Sequence, residues 1–267
     1  MKIAIAGKGG VGKTTLCALL ARSFADDGEK VLLVDADPDS DLALAIGMPK
    51  ELRDKIIPIS QRPELIEERT GVRPGTVGGV YKLNPKVDDI AERYAVRYDG
   101  LDLLTLGDIK PAGAGCYCAE GTLLKALLRH LVLDSKEQLI LDMEAGIEHM
   151  TRGSSGGVDL LLIVTEPGSM SLKTAATLHS LASQIGIKRI FAVGSKVRDE
   201  RGRRFIEESL PGLPLLGALS FNADILDADQ RREPVTRLAS PRLREELRGL
   251  RRRIAEETAV PLEGSKK

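Results

Sequence analysis

The sequence predicts an α/β protein with a mostly parallel sheet and helices on both of its faces. Three observations carry this expectation. Short apolar runs rich in β-branched residues recur along the 267 residues. Segments of helical period separate them, and strands that are apolar without alternation suit a sheet buried on both faces. The first run passes through a glycine-rich loop directly into a helical segment, the junction at which open α/β sheets bind ligands.

In chain order, the predicted strands are Ile3–Ala6, Val31–Val34, Leu101–Leu106, Leu139–Leu141, Leu160–Val164 and Ile190–Val193. The first helix should run from Lys13 to Asp26, where Gly28 stops it. A second starts near Glu120, with Leu123, Leu124, Leu127, Leu128 and Leu131 on one apolar face, and a third follows Ser171. The stretch from Leu243 through Leu247 and Leu250 to Ile254 has helical apolar spacing among arginines, a stripe suited to packing on the sheet. Residues 49–100 break the alternation with mixed charge, five prolines (Pro49, Pro58, Pro63, Pro74, Pro85) and Gly78–Gly79. They read as an irregular insertion in a single domain spanning 1–267.

Composition excludes several classes. Lys and Arg number 39 against 39 Asp and Glu, so no bulk charge draws the chain to nucleic acid or anionic lipid. Eight aromatic residues and no Trp leave little for base stacking or a membrane-interface belt. The apolar run Leu160–Val164 is far too short to span a bilayer. Met1–Ala6 lacks the features of a signal peptide, so a cytoplasmic location is expected. Three cysteines cannot form a disulfide framework, and in a reducing compartment closely spaced thiols read as ligands or redox groups.

Gly7-Lys8-Gly9-Gly10-Val11-Gly12-Lys13-Thr14-Thr15 fits the P-loop pattern in its strand–loop–helix context, which makes the expected fold that of a P-loop NTPase. Consecutive backbone N–H groups from Gly9 to Thr15 would curl around phosphates, and the helix amino terminus adds positive potential. Lys13 should reach the β- and γ-phosphates, Thr14 should hold Mg²⁺, and Thr15 is placed for the α-phosphate. The strand Val31–Val34 ends in Asp35-Ala36-Asp37-Pro38-Asp39-Ser40-Asp41, and Gln138–Leu141 ends in Asp142. Carboxylates at these strand ends suit phosphoryl transfer, where positioning and charge neutralisation dominate. Ser195 and Lys196 follow the strand Ile190–Val193 and are candidates for the base site. Arg198 stands where a guanine reader needs an acid, and an arginine cannot accept from base N–H groups, so ATP is preferred to GTP.

Cys116 and Cys118 flank Tyr117 just before the leucine-faced helix. They read as half a metal site, as buried thiols or as a redox pair. A structural soft-metal site wants four ligands, so two thiolates per chain would be completed across a symmetric dimer. Cys17 lies among apolar residues of the first helix and reads as core. His130, His149 and His179 are isolated, and His149 beside Met150 is a candidate metal relay.

The loop resembles the deviant P-loop class that holds the nitrogenase iron protein and the septum-positioning and partitioning ATPases. That resemblance implies that Lys8 reaches across a dimer to the partner's phosphates, and that Asp37 positions or deprotonates the attacking water. It further implies that Asp41 lies near the Mg²⁺ shell, that Asp142 meets Mg²⁺ through water, and that a glycine after Asp142 senses the γ-phosphate. Relatives have Asn-Lys where this chain has Ser195-Lys196. A [4Fe–4S] reductase would need a cysteine where Ala145 stands. Gly115-Cys116-Tyr117-Cys118-Ala119-Glu120 instead resembles the CooC family, the nickel-insertion ATPases of carbon monoxide dehydrogenase. Leu65–Gly71 and Leu83–Asp89 resemble stretches of the same family in the same order, and Tyr117, Ala119 and Ser195 depart from its pattern. The resemblance implies a homodimer that hydrolyses ATP with Mg²⁺ and holds one Ni²⁺ or Zn²⁺ between paired Cys116 and Cys118, with carbon monoxide dehydrogenase as client. Composition argues against a nucleic-acid partner, and the Leu243–Ile254 stripe, which has no aromatic and suits packing on the sheet, argues against stable membrane association. A positioning ATPase and an iron–sulfur reductase are the alternatives.

Overall fold

The computed structural model describes residues 1–37, 41–76, 80–107, 119–134, 137–143, 158–231, 233–237 and 240–260. The first half runs β1 (Lys2–Gly7), α1 (Lys13–Asp26), β2 (Val31–Asp35), α2 (Leu42–Ala45), α3 (Lys50–Arg53), α4 (Pro63–Thr70), α5 (Ile90–Tyr94), β3 (Val96–Tyr98) and β4 (Leu101–Thr105). The second half runs α6 (Ala119–Asp134), β5 (Gln138–Asp142), β6 (Leu160–Thr165), α7 (Ser169–Gln184), β7 (Ile190–Val197), α8 (Glu200–Ser209), β8 (Leu215–Ser220), α9 (Ala223–Arg231) and α10 (Pro241–Ala259). The strands form one sheet in the order β3-β4-β2-β5-β1-β6-β7-β8, parallel throughout except for the pair β3 and β4. This is the predicted class, with β1 and its loop near the middle of the sheet.

Each central strand feeds two cores because successive side chains point to opposite faces. Ile3 and Ile5 of β1 pack with Leu16 and Leu20 of α1 and with Leu247 and Leu250 of α10. Ala4 and Ala6 pack on the other face, in the cluster that holds Leu123, Leu127 and Leu131 of α6 and Leu172 and Leu178 of α7. The predicted strand runs fall on β1, β2, β4, β5, β6 and β7, and α1 has the predicted bounds. Gly28, in a left-handed conformation at φ 81°, carries the chain out of α1. The apolar stripe of α10, Leu243, Leu247, Leu250 and Ile254, is buried, and the helix packs on β8 and α1. Among the described residues, no helix is long and apolar enough to cross a membrane.

Three features depart from the sequence expectation. The edge strands β3 and β8 were not foreseen: β3 is only three residues, and β8 is interrupted by Gly217, whose missing side chain leaves room for the Arg253 guanidinium. The third helix starts at Ser169, so Ser171 lies inside it, where its hydroxyl bonds Thr165 Oγ1 (2.8 Å) and accepts the Glu166 N–H (3.1 Å). Residues 49–100 are less irregular than their prolines suggest. Pro49 precedes α3, and Pro63 occupies the first turn of α4, where a missing N–H is harmless. Leu65, Ile66, Val87 and Ile90 join the same cluster as α6, and Arg69 ties α4 to Asp89 at 2.7 Å.

Candidate functional site

The loop between β1 and α1 is built by backbone geometry before any side chain acts. Gly12 sits at φ 98°, and a Cβ there would lie 3.1 Å from Ser195 Oγ. Gly7 sits at φ 155°, and a Cβ there would meet the Val164 carbonyl oxygen at 2.5 Å. Only glycine lets the chain turn this tightly against the neighbouring strands. Val11 buries its side chain in the core, and its N–H donates to the Lys8 carbonyl (3.4 Å). Lys8, Gly9 and Gly10 are exposed at the tip. Lys13 opens α1 and is only 5% exposed, with Nζ 3.6 Å from Asp37 Oδ2. The lysine expected on phosphate is thus paired with the aspartate expected near the attacking water.

Behind this pair, parallel pairing of β2 with β5 sets Asp35 opposite Asp142. Each is 1% exposed. Burial, reinforced by the Asp142 charge, pushes Asp35 up to about 7, against hydrogen bonds from the Asp37 and Leu42 N–H groups. Asp142 is raised as well, chiefly by burial, and is opposed by a hydrogen bond from the Thr14 hydroxyl and by the charge of Lys13. Asp35 Oδ2 and Asp142 Oδ1 are buried without a hydrogen-bond partner. Two converging carboxylates with open oxygens, beside the Thr14 hydroxyl, fit a hard divalent cation and the waters it retains. Sequence reasoning named Asp142 but passed over Asp35, whose role rests on its register with β5. Cys17 is buried as expected, and burial, reinforced by the Asp142 charge, pushes its thiol well up.

A cleft of about 370 Å³ runs from this end across the carboxyl edge of the sheet. Gly9, Gly10, Gly12, Lys13, Thr14 and Thr15 line one end, with Asp37 and Asp41 beside them. The far end is apolar, formed by Leu219 and Phe221 at the end of β8, Ile225 and Leu226 of α9, and Val235. It has the size and lining of a small-molecule site, with charge at one end and an apolar surface at the other. No short motif marks these far residues. Arg198 stacks on the Phe221 ring at 4.9 Å, and Asn222 is committed to the turn, accepting the Asp224 N–H (2.9 Å). Ser195 and Lys196 line the cleft, and Lys196 also braces the loop: at φ 55° it donates from Nζ to the Gly10 carbonyl (2.6 Å) and pairs with Glu166 (3.5 Å).

Among the described residues, no group of three or more His, Cys, Asp and Glu side chains is arranged to hold a metal ion by itself. Asp39, Cys116, Cys118, Ala145, Gly146 and His149 lie outside the described residues. His130 on α6 and His179 on α7 do not line the cleft.

Residues 2–235 match the CobQ/CobB/MinD/ParA nucleotide binding domain. The carbon monoxide dehydrogenase accessory protein CooC of Rhodospirillum rubrum is 47% identical over 86% of this chain and 87% of its own length. An ATP-binding protein of Methanocaldococcus jannaschii is 45% identical over 88% of this chain and 91% of its own. Among solved structures, MinD in the MinC:MinD cell division complex of Aquifex aeolicus superimposes with a TM-score of 0.65 at 21% identity, covering 98% of each chain. The Pyrococcus horikoshii septum site-determining protein MinD complexed with Mg-ADP gives 0.61 at 20% identity, over 95% of each chain. The fold is therefore that of the MinD and ParA P-loop NTPases, and the chain belongs to the CobQ/CobB/MinD/ParA nucleotide-binding family and, within it, to the family of the carbon monoxide dehydrogenase accessory protein CooC.

Proposed function

We propose that this chain is a cytoplasmic ATPase that dimerises with nucleotide, carries nickel between Cys116 and Cys118 of two copies, and supports nickel insertion into the active-site cluster of carbon monoxide dehydrogenase. The observation that carries the reading is its 47% identity to a CooC protein over 86% of the chain. In this reading the triphosphate displaces Asp37 from Lys13, and the ammonium passes from carboxylate to phosphate. Asp37 is then free to orient the attacking water. The water oxygen bonds to the γ-phosphorus, the bond to the β–γ bridging oxygen breaks, and ADP leaves with that electron pair. The water's proton passes to Asp37 or to a phosphate oxygen. Thr14, with Asp35 and Asp142 behind it, would hold the Mg²⁺, which would supply charge neutralisation at the phosphates. Lys8, exposed at the tip, reaches the partner's nucleotide and so makes dimerisation depend on it.

A two-thiolate site in one chain would be open and weak, whereas four thiolates across a two-fold axis make a closed one. Anaerobic titration with Ni²⁺ and with Zn²⁺ tests this: one ion per two chains is expected. Cys116→Ser and Cys118→Ser should each abolish tight binding while ATP binding persists, and cells carrying either should contain carbon monoxide dehydrogenase short of nickel. A [4Fe–4S] absorption spectrum would support the reductase instead. Absence of any metal response would leave the positioning ATPase, a reading disfavoured by the burial of the α10 stripe against the sheet.

A further inference from the structure

The strand β8 closes one side of the sheet, so N–H groups on its outer side have no further strand to meet. Its pairing with β7 is also irregular, with register shifts on either side of the Val193–Gly194 pair. Yet this strand end forms the apolar wall of the cleft, with Leu219 and Phe221 flanking Ser220. What fixes it comes from α10. Glu246, on the second turn of that helix, accepts the Ser220 backbone N–H (2.9 Å) and the Ser220 hydroxyl (3.0 Å) on Oε2, and the Arg242 Nε–H (3.1 Å) on Oε1. The carboxylate thus stands where the carbonyl of a ninth strand would.

Glu246 is only 20% exposed and Arg242 is 72% exposed, so the bonds to Ser220 are the poorly solvated ones and the ion pair is the weaker hold. On either side of Ser220 the chain is tied again: the Phe221 N–H donates to the Val197 carbonyl of β7 (2.9 Å), and Asn222 Nδ2 donates to Oγ of Ser240, the cap of α10 (3.4 Å). The helix itself does not need Glu246 to dock, since Leu243, Leu247, Leu250 and Ile254 already bury its apolar stripe. We propose that Glu246 is a positioning residue for the nucleotide base, which ties Ser220 to α10 and so sets where the Phe221 ring stands in the cleft. The proposal rests on the reading of the chain as an ATPase whose base lies at the apolar end, and it gives a polar side chain of α10 a task in nucleotide binding.

Calorimetric titration of ATP and of inorganic tripolyphosphate separates positioning from mere stability. Glu246→Ala removes both bonds to Ser220 but places the best helix former on α10, so the helix should persist. Its ATP affinity should fall about threefold to tenfold, no more than removal of the ring itself would cost, while its tripolyphosphate affinity stays within about twofold of wild type. Glu246→Gln keeps a carbonyl acceptor for Ser220 and should stay within about twofold for both ligands. In a Phe221→Ala background, Glu246→Ala should cost little further ATP affinity, because it acts through the ring. Unchanged ATP affinity in Glu246→Ala, equal losses of the two ligands, a glutamine variant as impaired as alanine, or a full additive loss in the Phe221→Ala background each overturns the proposal alone. A wild type that binds ATP no more tightly than tripolyphosphate takes the base away from the apolar end, and the proposal falls with it. A wild type that binds neither overturns the ATPase reading as well.

Discussion

The two ends of the cleft are built in different ways. At the phosphate end, Gly9, Gly10, Gly12, Lys13, Thr14 and Thr15 all come from one continuous strand–loop–helix unit. At the apolar end, Leu219, Phe221, Ile225, Leu226 and Val235 come from a strand end, a helix and a turn that become a site only when β8 docks on β7 under α10. A phosphate is the same in every nucleotide, and a continuous segment suffices to bind it. A base is held by whatever surface the rest of the fold brings alongside, so that surface is set by packing.

The largest effect should come from the phosphate end. Lys13→Ala is expected to weaken binding of a fluorescent ATP analogue by about a hundredfold or more, since it removes a charge held against phosphate in a poorly solvated site. Asp37→Asn should bind normally and hydrolyse about a hundredfold more slowly. Near-normal turnover in that variant would remove Asp37 from the water-activating role. At the other end, Phe221→Ala should weaken ATP about tenfold, the order expected for one ring stacked on a base, and leave competition by inorganic tripolyphosphate unchanged. Loss of both would erase the distinction between the two ends.

A fourth prediction concerns the buried acids beneath the phosphate end. Asp35 rises from 3.8 to about 7 on folding. The folded state therefore binds more protons than the unfolded chain across that interval, and stability falls as pH rises through it. For nucleotide-free protein in chelator, Asp35→Asn should flatten this decline, removing up to about 4 kcal/mol of pH-dependent loss between about pH 4 and 7. Denaturant titrations at several pH values provide the check, and parallel curves for the two proteins would contradict it. The smallest effect belongs to the brace. Lys196→Ala removes the contact to the Gly10 carbonyl from a half-exposed side chain, so ATP affinity should drop only about threefold. A loss as large as that of Lys13→Ala would make Lys196 a phosphate ligand.

How far the sequence could be read follows the same division. The helix Lys13–Asp26 was legible in the sequence, because a local motif opens it and Gly28 closes it. Asp142 was legible from the apolar run before it, and Asp37 from the resemblance to the deviant P-loop class. Asp35 was not singled out, since nothing local separates it from its acidic neighbours; its pairing with Asp142 across two strands does. The strand β8 escaped because Gly217 breaks its pattern for the sake of Arg253 on α10, more than thirty residues later, and with β8 went the apolar end of the cleft. Pro63 looked like a breaker and is a helix start.

In the proposed function the nucleotide cleft and a metal held by Cys116 and Cys118 share one dimer. If one dimer carries both, linkage requires that a nucleotide favouring the dimer also change the affinity for nickel. Anaerobic calorimetric titration of Ni²⁺ into protein saturated with a non-hydrolysable ATP analogue, and separately with ADP, measures the coupling directly. The expected result is one ion per two chains with affinities that differ by about fivefold or more between the two states. Equal affinities at one ion per chain would contradict it.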